Sequence, residues 1–136
     1  MNFVGGCYCG AIRYDCDGTP VMKAQCHCRE CQYVSGGGPN YFMTVPADSF
    51  RWTEGTPKRF QRSDLDRAVT REFCGTCGTH VVTRLPDMPY LVVKVGSLDD
   101  PAQFTPEMAI YAVDAQHFHQ IPDGMPSFKR LPPRKG

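Results

Sequence analysis

All cysteines but Cys16 fall into three short clusters, and their spacing constrains the fold more than any other feature of the chain. Thiolates one or two residues apart can bind a single tetrahedral metal ion together. The glycines beside the last pair are typical of a zinc knuckle. Metal ions are therefore predicted to join distant parts of the chain. The clusters are Cys7-x-Cys9, Cys26-x-Cys28-x-x-Cys31 and Cys74-x-x-Cys77.

The two outer pairs supply four ligands, the usual number for a structural zinc, so we join Cys7 and Cys9 to Cys74 and Cys77. The middle cluster then has three ligands, which is typical of a catalytic zinc with an open coordination position. The alternative makes Cys16 the fourth ligand and both sites structural. Because apolar and polar residues alternate around Cys16, we expect a buried free thiol there instead.

Disulfides are another interpretation of paired cysteines. The N-terminal residues have neither the basic start nor the apolar core of a signal peptide, which favours metal binding in a reducing cytoplasm. The chain has 136 residues and a net charge of +1. We expect one domain over residues 1–136 that binds neither nucleic acid nor membrane. Formation of a homo-oligomer is possible. The basic tail from Lys129 is expected to be a solvated terminus.

Glycines and prolines divide the sequence into short segments rich in valine, threonine, tyrosine and phenylalanine, which predicts a mainly β fold. Short helical turns are predicted over Arg29–Val34, at Pro46 and at Asp99-Asp100-Pro101. The predicted strands are Ala11–Cys16, Val21–Gln25, Asn40–Val45, Phe50–Thr53, Lys58–Gln61, Ala68–Phe73, Thr79–Arg84, Tyr90–Val95 and Met108–Ala112.

Five ordered motifs resemble the glutathione-dependent formaldehyde-activating enzyme (GFA) family. The resemblance implies the β-tent fold shared with methionine sulfoxide reductase B and two Zn²⁺ ions per chain. It implies a structural zinc at Cys7, Cys9, Cys74 and Cys77, and a second zinc at Cys26, Cys28 and Cys31, where members engage glutathione and formaldehyde. The motifs are Gly6-Cys7-Tyr8-Cys9-Gly10-Ala11-Ile12-Arg13-Tyr14, Cys26-His27-Cys28-Arg29-Glu30-Cys31 with Ser35-Gly36, Phe73-Cys74-Gly75-Thr76-Cys77-Gly78-Thr79, Val95-Gly96-Ser97-Leu98-Asp99-Asp100-Pro101 and Ile121-Pro122-Asp123-Gly124-Met125-Pro126-Ser127-Phe128.

The chain departs from the family pattern at two places. Members often carry basic residues directly after the third cysteine of the second cluster, where this chain has Gln32 and Tyr33. Many members have a Ser-Lys-x-x-Trp stretch where this chain has Asp114-Ala115-Gln116-His117-Phe118. These changes reshape the substrate pocket, so the resemblance does not identify the thiol.

Three thiolates offset the charge of Zn²⁺, which makes a bound water less acidic and favours a substrate thiol as the fourth ligand. The hypothesis is a carbon-sulfur lyase of the S-(hydroxymethyl)glutathione synthase type, which joins a small-molecule thiol and an aldehyde. The alkoxide that forms needs a donor, and the candidates are His27, Ser35, Tyr33, His117 and His119. His27 could instead face solvent, and one of the C-terminal histidines could instead close the second site.

Two other functions are open. One is a non-catalytic zinc-binding interaction module, because a fold does not fix a function. The other is a redox enzyme like methionine sulfoxide reductase B, which needs a free, activated cysteine late in the chain. No cysteine follows Cys77, and Cys16 is expected to be buried, so the redox function is disfavoured.

Overall fold

A computed structural model of the chain describes residues 2–133. Strands predominate in it, with one α-helix and short 3-10 turns, and the predicted mainly β fold is confirmed. No helix within residues 2–133 is long and apolar enough to cross a membrane. The strands are β1 (Phe3–Gly6), β2 (Arg13–Cys16), β3 (Met22–Cys26), β4 (Asn40–Pro46), β5 (Phe50–Glu54), β6 (Lys58–Phe60), β7 (Thr70–Phe73), β8 (His80–Arg84), β9 (Tyr90–Lys94) and β10 (Met108–Ile110); the helix is α1 (Arg29–Ser35), and the 3-10 turns are Ala47–Ser49, Val95–Ser97, Pro101–Gln103 and Ala112–Asp114.

The chain divides into two compact units. The first unit comprises residues 1–22 and 43–104, and the second comprises residues 23–42 and 105–136. The one-domain organisation over residues 1–136 stays a prediction.

The first unit contains a three-stranded antiparallel sheet in the order β1-β2-β5, and a run of strands in the order β4-β9-β8-β7-β6. Its apolar side chains form one core in which the ring of Tyr14 stacks on Phe50 with centroids 4.8 Å apart. Cys16 lies in this core, 1 % exposed, with its sulfur 3.4 Å from the Ser49 hydroxyl. Cys16 is therefore a buried thiol, as its strand pattern predicted.

Strand β1 is absent from the predicted strands because glycines such as Gly5 and Gly6 usually interrupt a strand. A side chain at Gly5 would clash with the Ser97 carbonyl oxygen and the Tyr14 ring, so glycine permits a close approach here. The Tyr14 hydroxyl lies 2.7 Å from the Ser97 hydroxyl beneath the same strand.

Glu72 of β7 is a fully buried carboxylate, with 0 % of its side chain exposed. It accepts hydrogen bonds from Trp52 Nε1 at 3.1 Å and Arg84 Nε at 2.8 Å, and Arg59 Nε lies 2.9 Å away. Burial alone raises the pKa of Glu72, but the hydrogen bonds from Arg84 and Trp52 outweigh it and hold the pKa below its usual value. The carboxylate thus connects side chains of β5, β6, β7 and β8.

His80 begins β8, directly after the turn that carries Cys74 and Cys77. Its ring stacks on Phe73 with centroids 5.7 Å apart. Its Nδ1 atom is buried without a hydrogen-bond partner among residues 2–133. Burial lowers the pKa of His80, so the neutral ring is favoured.

In the second unit, β10 runs parallel to β3, and Ile110 pairs with Cys26. Strand β4 begins on the other side of β3. Backbone N–H groups of residues 111–113 donate to the carbonyl groups of Arg130, Phe128 and Lys129. The start of the basic tail is therefore bonded to the fold and not a free terminus, while residues 134–136 lie outside the described part.

Candidate metal centres

The first cluster consists of Cys7, Cys9, Cys74 and Cys77, whose sulfur atoms all lie within 4.8 Å of one another. The sulfur of Cys9 is 3.7 Å from that of Cys7 and 3.7 Å from that of Cys74. A tetrahedral zinc with bonds of ~2.3 Å requires sulfur atoms about 3.8 Å apart. The geometry therefore fits a four-thiolate zinc, and it brings together the two pairs that the sequence joined.

Backbone folding places these sulfurs and directs N–H groups toward them. Cys7 follows β1, and its sulfur accepts the N–H of Ile12 at 3.3 Å. Cys74 and Cys77 lie in the turn between β7 and β8, where the Cys74 sulfur accepts the N–H of Thr76 at 3.3 Å. N–H groups aimed at sulfur stabilise thiolates, which is the ionisation state that binds metal.

Thr79 connects the two halves of the first cluster. Its hydroxyl oxygen accepts the backbone N–H of Tyr8 at 3.1 Å, so its proton is directed to the Cys77 sulfur at 3.2 Å. This hydrogen bond is the main cause that lowers the pKa of Cys77 to about 5. The Thr79 hydroxyl therefore favours the thiolate form of Cys77.

The second cluster consists of Cys26, Cys28 and Cys31, whose sulfurs also lie within 4.8 Å of one another. Cys26 ends β3, Cys28 is the N-cap of α1, and Cys31 lies in its first turn. The Cys28 sulfur accepts the Cys31 N–H at 3.3 Å, and the Cys31 sulfur accepts an N–H of the Asn40 side chain at 3.7 Å. Within residues 2–133 no fourth Cys, His, Asp or Glu ligand atom belongs to this group.

The three thiols do not ionise equally well. Interactions with Cys28 and Cys31 raise the pKa of Cys26 far above its usual value, while hydrogen bonds from Cys26 and Cys31 lower the pKa of Cys28 to about 2. Three adjacent thiolates would repel one another, and the opposed pKa shifts of Cys26 and Cys28 show that their surroundings do not compensate this repulsion. A divalent cation supplies that charge, so the donor set fits zinc.

His119 is fixed through both ring nitrogens. Its Nε2 lies 2.8 Å from the carbonyl oxygen of Gly37 and therefore carries the ring proton. Its Nδ1 accepts the backbone N–H of Gln116 at 3.2 Å and therefore carries no proton. The Nδ1 atoms of His119 and His27 are 2.9 Å apart, so His27 Nδ1–H is the donor in this hydrogen bond. His119 has no nitrogen left for a metal, and His117 lies outside both clusters.

His27 is 0 % exposed, so the alternative that its ring faces solvent is wrong. Its Nδ1–H donates to His119, and its Nε2 accepts an N–H of the Gln25 side chain at 3.1 Å. The other N–H of that amide donates to the Gln120 carbonyl at 3.0 Å. Burial lowers the pKa of His27, consistent with the neutral ring that these bonds require. The ring thus links the cluster to residues 116–120.

Gln32, where the chain departs from the family pattern, is a buried connector and 3 % exposed. Its amide N–H groups donate to the carbonyl oxygens of His27 at 2.8 Å and Asp114 at 3.0 Å. Its oxygen accepts hydrogen bonds from Arg29 and, at 3.1 Å, from the side chain of Gln116. Gln116 belongs to the other departure, so the two differences contact each other.

Ser35 ends α1, and its hydroxyl donates to the carbonyl group of Gly38. The donor is used inside the loop after the helix, and the catalytic role of Ser35 stays a prediction. Tyr33 is 80 % exposed, and the guanidinium of Arg29 lies 5.1 Å from the centre of its ring.

Gly37→Ala is expected to destabilise the protein by about 1–2 kcal/mol. Gly37 has φ +118°, which side chains rarely adopt, although a Cβ there meets no atom within 4 Å. Gly38→Ala is the matched control, because Gly38 has equal space and no left-handed φ. Urea unfolding of both variants measures the difference, and equal stability would contradict the backbone explanation.

Tyr111 lies beside the second cluster, whereas the sequence predicts it inside a strand over Met108–Ala112 and not as a site residue. The strand ends one residue earlier, at Ile110, whose carbonyl accepts the N–H of His27 at 3.0 Å. Tyr111 has φ 53° and ψ 38°, the left-handed conformation. No feature of its neighbours in sequence indicated this turn.

Comparison with known proteins identifies the family. No curated protein matches the chain. A crystal structure of a Rhodobacter sphaeroides protein superposes with a TM-score of 0.60 and 21 % identity, covering 74 % of this chain and 93 % of the other, which shows a shared fold. The family model described as glutathione-dependent formaldehyde-activating enzyme matches residues 2–114. The resemblance found in the sequence is confirmed, and the chain belongs to the glutathione-dependent formaldehyde-activating enzyme family.

Proposed function

We propose that the protein is a zinc-dependent carbon-sulfur lyase that reversibly joins a thiol and formaldehyde or a related aldehyde. One structural zinc is held by Cys7, Cys9, Cys74 and Cys77, and a second by the three-cysteine cluster. The observation that carries the proposal is the three-sulfur group with no fourth ligand atom among residues 2–133. A metal held by three protein ligands leaves a coordination position for substrate.

Zinc bound to Cys26, Cys28 and Cys31 supplies a Lewis acid that lowers the pKa of a substrate thiol and keeps its thiolate nucleophilic. In the reaction, the thiol sulfur bonds to the aldehyde carbon, and the π electron pair of the carbonyl moves to oxygen. That oxygen takes a proton, which gives an S-hydroxyalkyl adduct. The reverse reaction breaks the carbon–sulfur bond.

The chain contributes a fixed position for the reacting groups. The Gln32 side chain donates hydrogen bonds to the backbone carbonyls of His27 and Asp114. The ring of His27 is hydrogen-bonded to His119. Buried hydrogen bonds of this kind orient metal ligands, and accurate placement of two reactants accounts for most of the acceleration in an addition reaction.

The substrate class is a small-molecule thiol, glutathione or a similar compound. Gln32 is uncharged, and its side-chain amide is buried and fully hydrogen-bonded, so it offers neither a charge nor a free donor to a substrate carboxylate. The exposed Tyr33 and Arg29 lie on the helix that supplies two of the cysteines. A reducing cytoplasm, which keeps such thiols and the cysteine clusters free, is the compartment that suits this chemistry.

Exchange spectroscopy by NMR tests the proposal, with protein, ¹³C-formaldehyde and a panel of thiols. We expect two zinc ions per chain and adduct exchange faster than the spontaneous rate for at least one thiol. Cys28→Ser should hold one zinc and exchange no faster than buffer, because a site with two thiolates no longer binds its ion tightly. If the wild-type protein accelerates exchange with none of the thiols in the panel, the lyase proposal fails and the binding module is favoured.

A further inference from the structure

Of the donors that the sequence suggested near the second cluster, His27, His119 and Ser35 already donate hydrogen bonds. The N–H groups of His27 and His119 take part in the hydrogen bonds described above. The Ser35 hydroxyl donates inside its own loop, and Tyr33 is 80 % exposed on the helix surface. Addition of a thiolate to an aldehyde nevertheless produces an alkoxide, which needs a placed donor.

Tyr111 stands next to the cluster in an unusual backbone conformation. The residue before it, Ile110, pairs with Cys26 across parallel strands. Its left-handed φ of 53° is rare for a bulky side chain. The conformation is held by a 3.1 Å bond from its N–H to the Arg130 carbonyl and a 3.0 Å bond from the Asp114 N–H to its own carbonyl. Such enforced strain is concentrated at functional sites.

Tyr111 directly follows Ile110, whose carbonyl accepts the N–H of His27 between Cys26 and Cys28, and Tyr111 is half-buried. Burial raises the pKa of Tyr111, and the charges of Cys26 and Cys28 raise it further. The pKa of a phenol is ordinarily about 10, so the hydroxyl keeps its proton at neutral pH. Within residues 2–133 this hydroxyl forms no hydrogen bond, so its proton is available to a ligand.

We propose that Tyr111 is a catalytic residue whose hydroxyl donates its proton to the aldehyde oxygen, an inference that rests on the function proposed above. As the thiol sulfur bonds to the carbonyl carbon, the π electron pair moves to oxygen, and that oxygen takes the phenol proton. The phenolate regains a proton from solvent, which received the proton of the thiol. In reverse, the phenolate removes the hydroxyl proton of the adduct while the carbon–sulfur bond breaks.

Tyr111→Phe removes only the hydroxyl and is expected to slow adduct exchange by about 100-fold or more. Zinc content should stay at the wild-type value. Thiol affinity, followed by the visible absorption of cobalt-substituted protein, should also be unchanged, because the donor acts after the thiol binds. Tyr90→Phe, in the first unit, is the matched control and should exchange at the wild-type rate.

A second readout does not depend on turnover. In protein labelled with ¹³C-tyrosine, the Cζ resonance that disappears in Tyr111→Phe should shift when pre-formed S-hydroxymethyl adduct is added. Three results would overturn the assignment while leaving the lyase proposal intact. They are an exchange rate in Tyr111→Phe equal to that of the wild-type protein, loss of zinc from Tyr111→Phe, and a shift of the Tyr33 resonance in place of that of Tyr111. Absence of exchange in the wild-type protein would overturn both.

Discussion

Cys74→Ser is expected to remove one zinc ion and to unfold the first unit, whereas Cys28→Ser removes one ion and leaves the first unit folded. Cys74 is 1 % exposed inside the apolar core, and its cluster joins the start of the chain to the turn between β7 and β8. A structural zinc contributes ~10–16 kcal/mol in zinc-finger peptides, which is comparable to the whole ~5–15 kcal/mol stability of most domains.

Zinc analysis and thermal unfolding of the two variants, measured side by side, provide the comparison. Retention of a cooperative transition in Cys28→Ser and its loss in Cys74→Ser is the expected pair of results. Cys16→Ser serves as the control for replacing a buried thiol outside both clusters and should keep two zinc ions. Equal unfolding of Cys28→Ser and Cys74→Ser would make the second centre structural and remove the basis of the proposed catalysis.

Glu72→Ala is the second large effect, with an expected loss of about 3 kcal/mol in the free energy of unfolding. The substitution leaves the Trp52 indole N–H without its acceptor and Arg84 without its partner. Glu107→Ala is the control, because Glu107 is 62 % exposed and only 3.9 Å from Lys23, an ion pair worth ~0–1 kcal/mol. A loss at Glu72 no larger than at Glu107 would show that the buried carboxylate contributes nothing net.

The same residue makes a prediction about pH. The folded-state pKa of Glu72 lies below its unfolded value, so its contribution is present above the unfolded pKa and is lost as the pH falls through the folded pKa. The stability of the wild-type protein should therefore decline more steeply below about pH 4.3 than that of Glu72→Ala. Urea unfolding of both proteins at several acidic pH values measures the two slopes, and parallel slopes would contradict the shift.

The sequence predicted strands and metal clusters well because both depend on local pattern. Cys-x-x-Cys spacing fixes which sulfurs are neighbours, and alternation placed Cys16 in the core. Strand β1 was lost because the need for glycine at Gly5 comes from Ser97, far along the chain. Spacing within a segment carries no information about what a distant segment brings against it.

The same limit explains the errors around the second cluster. The sequence allows an exposed His27, because nothing near it in the chain indicates its partner His119, 92 residues later. The turn at Tyr111 depends on hydrogen bonds with residues 128–130, which periodicity does not reveal. Gln32 and Gln116 each stood out as a departure from the family pattern, but their contact was visible only in three dimensions.

The parallel pairing of β10 with β3 has a consequence for how such proteins diversify. The cysteines of the second cluster belong to one stretch of sequence, while Tyr111 and His119 belong to a later stretch of the same chain. Substitutions in the later stretch that spare the hydrogen bonds to His27 and Gln32 are therefore expected to alter which compound is accepted while the cysteine ligands stay in place. Paralogues with the same cysteines and different C-terminal stretches are expected to act on different sulfur compounds.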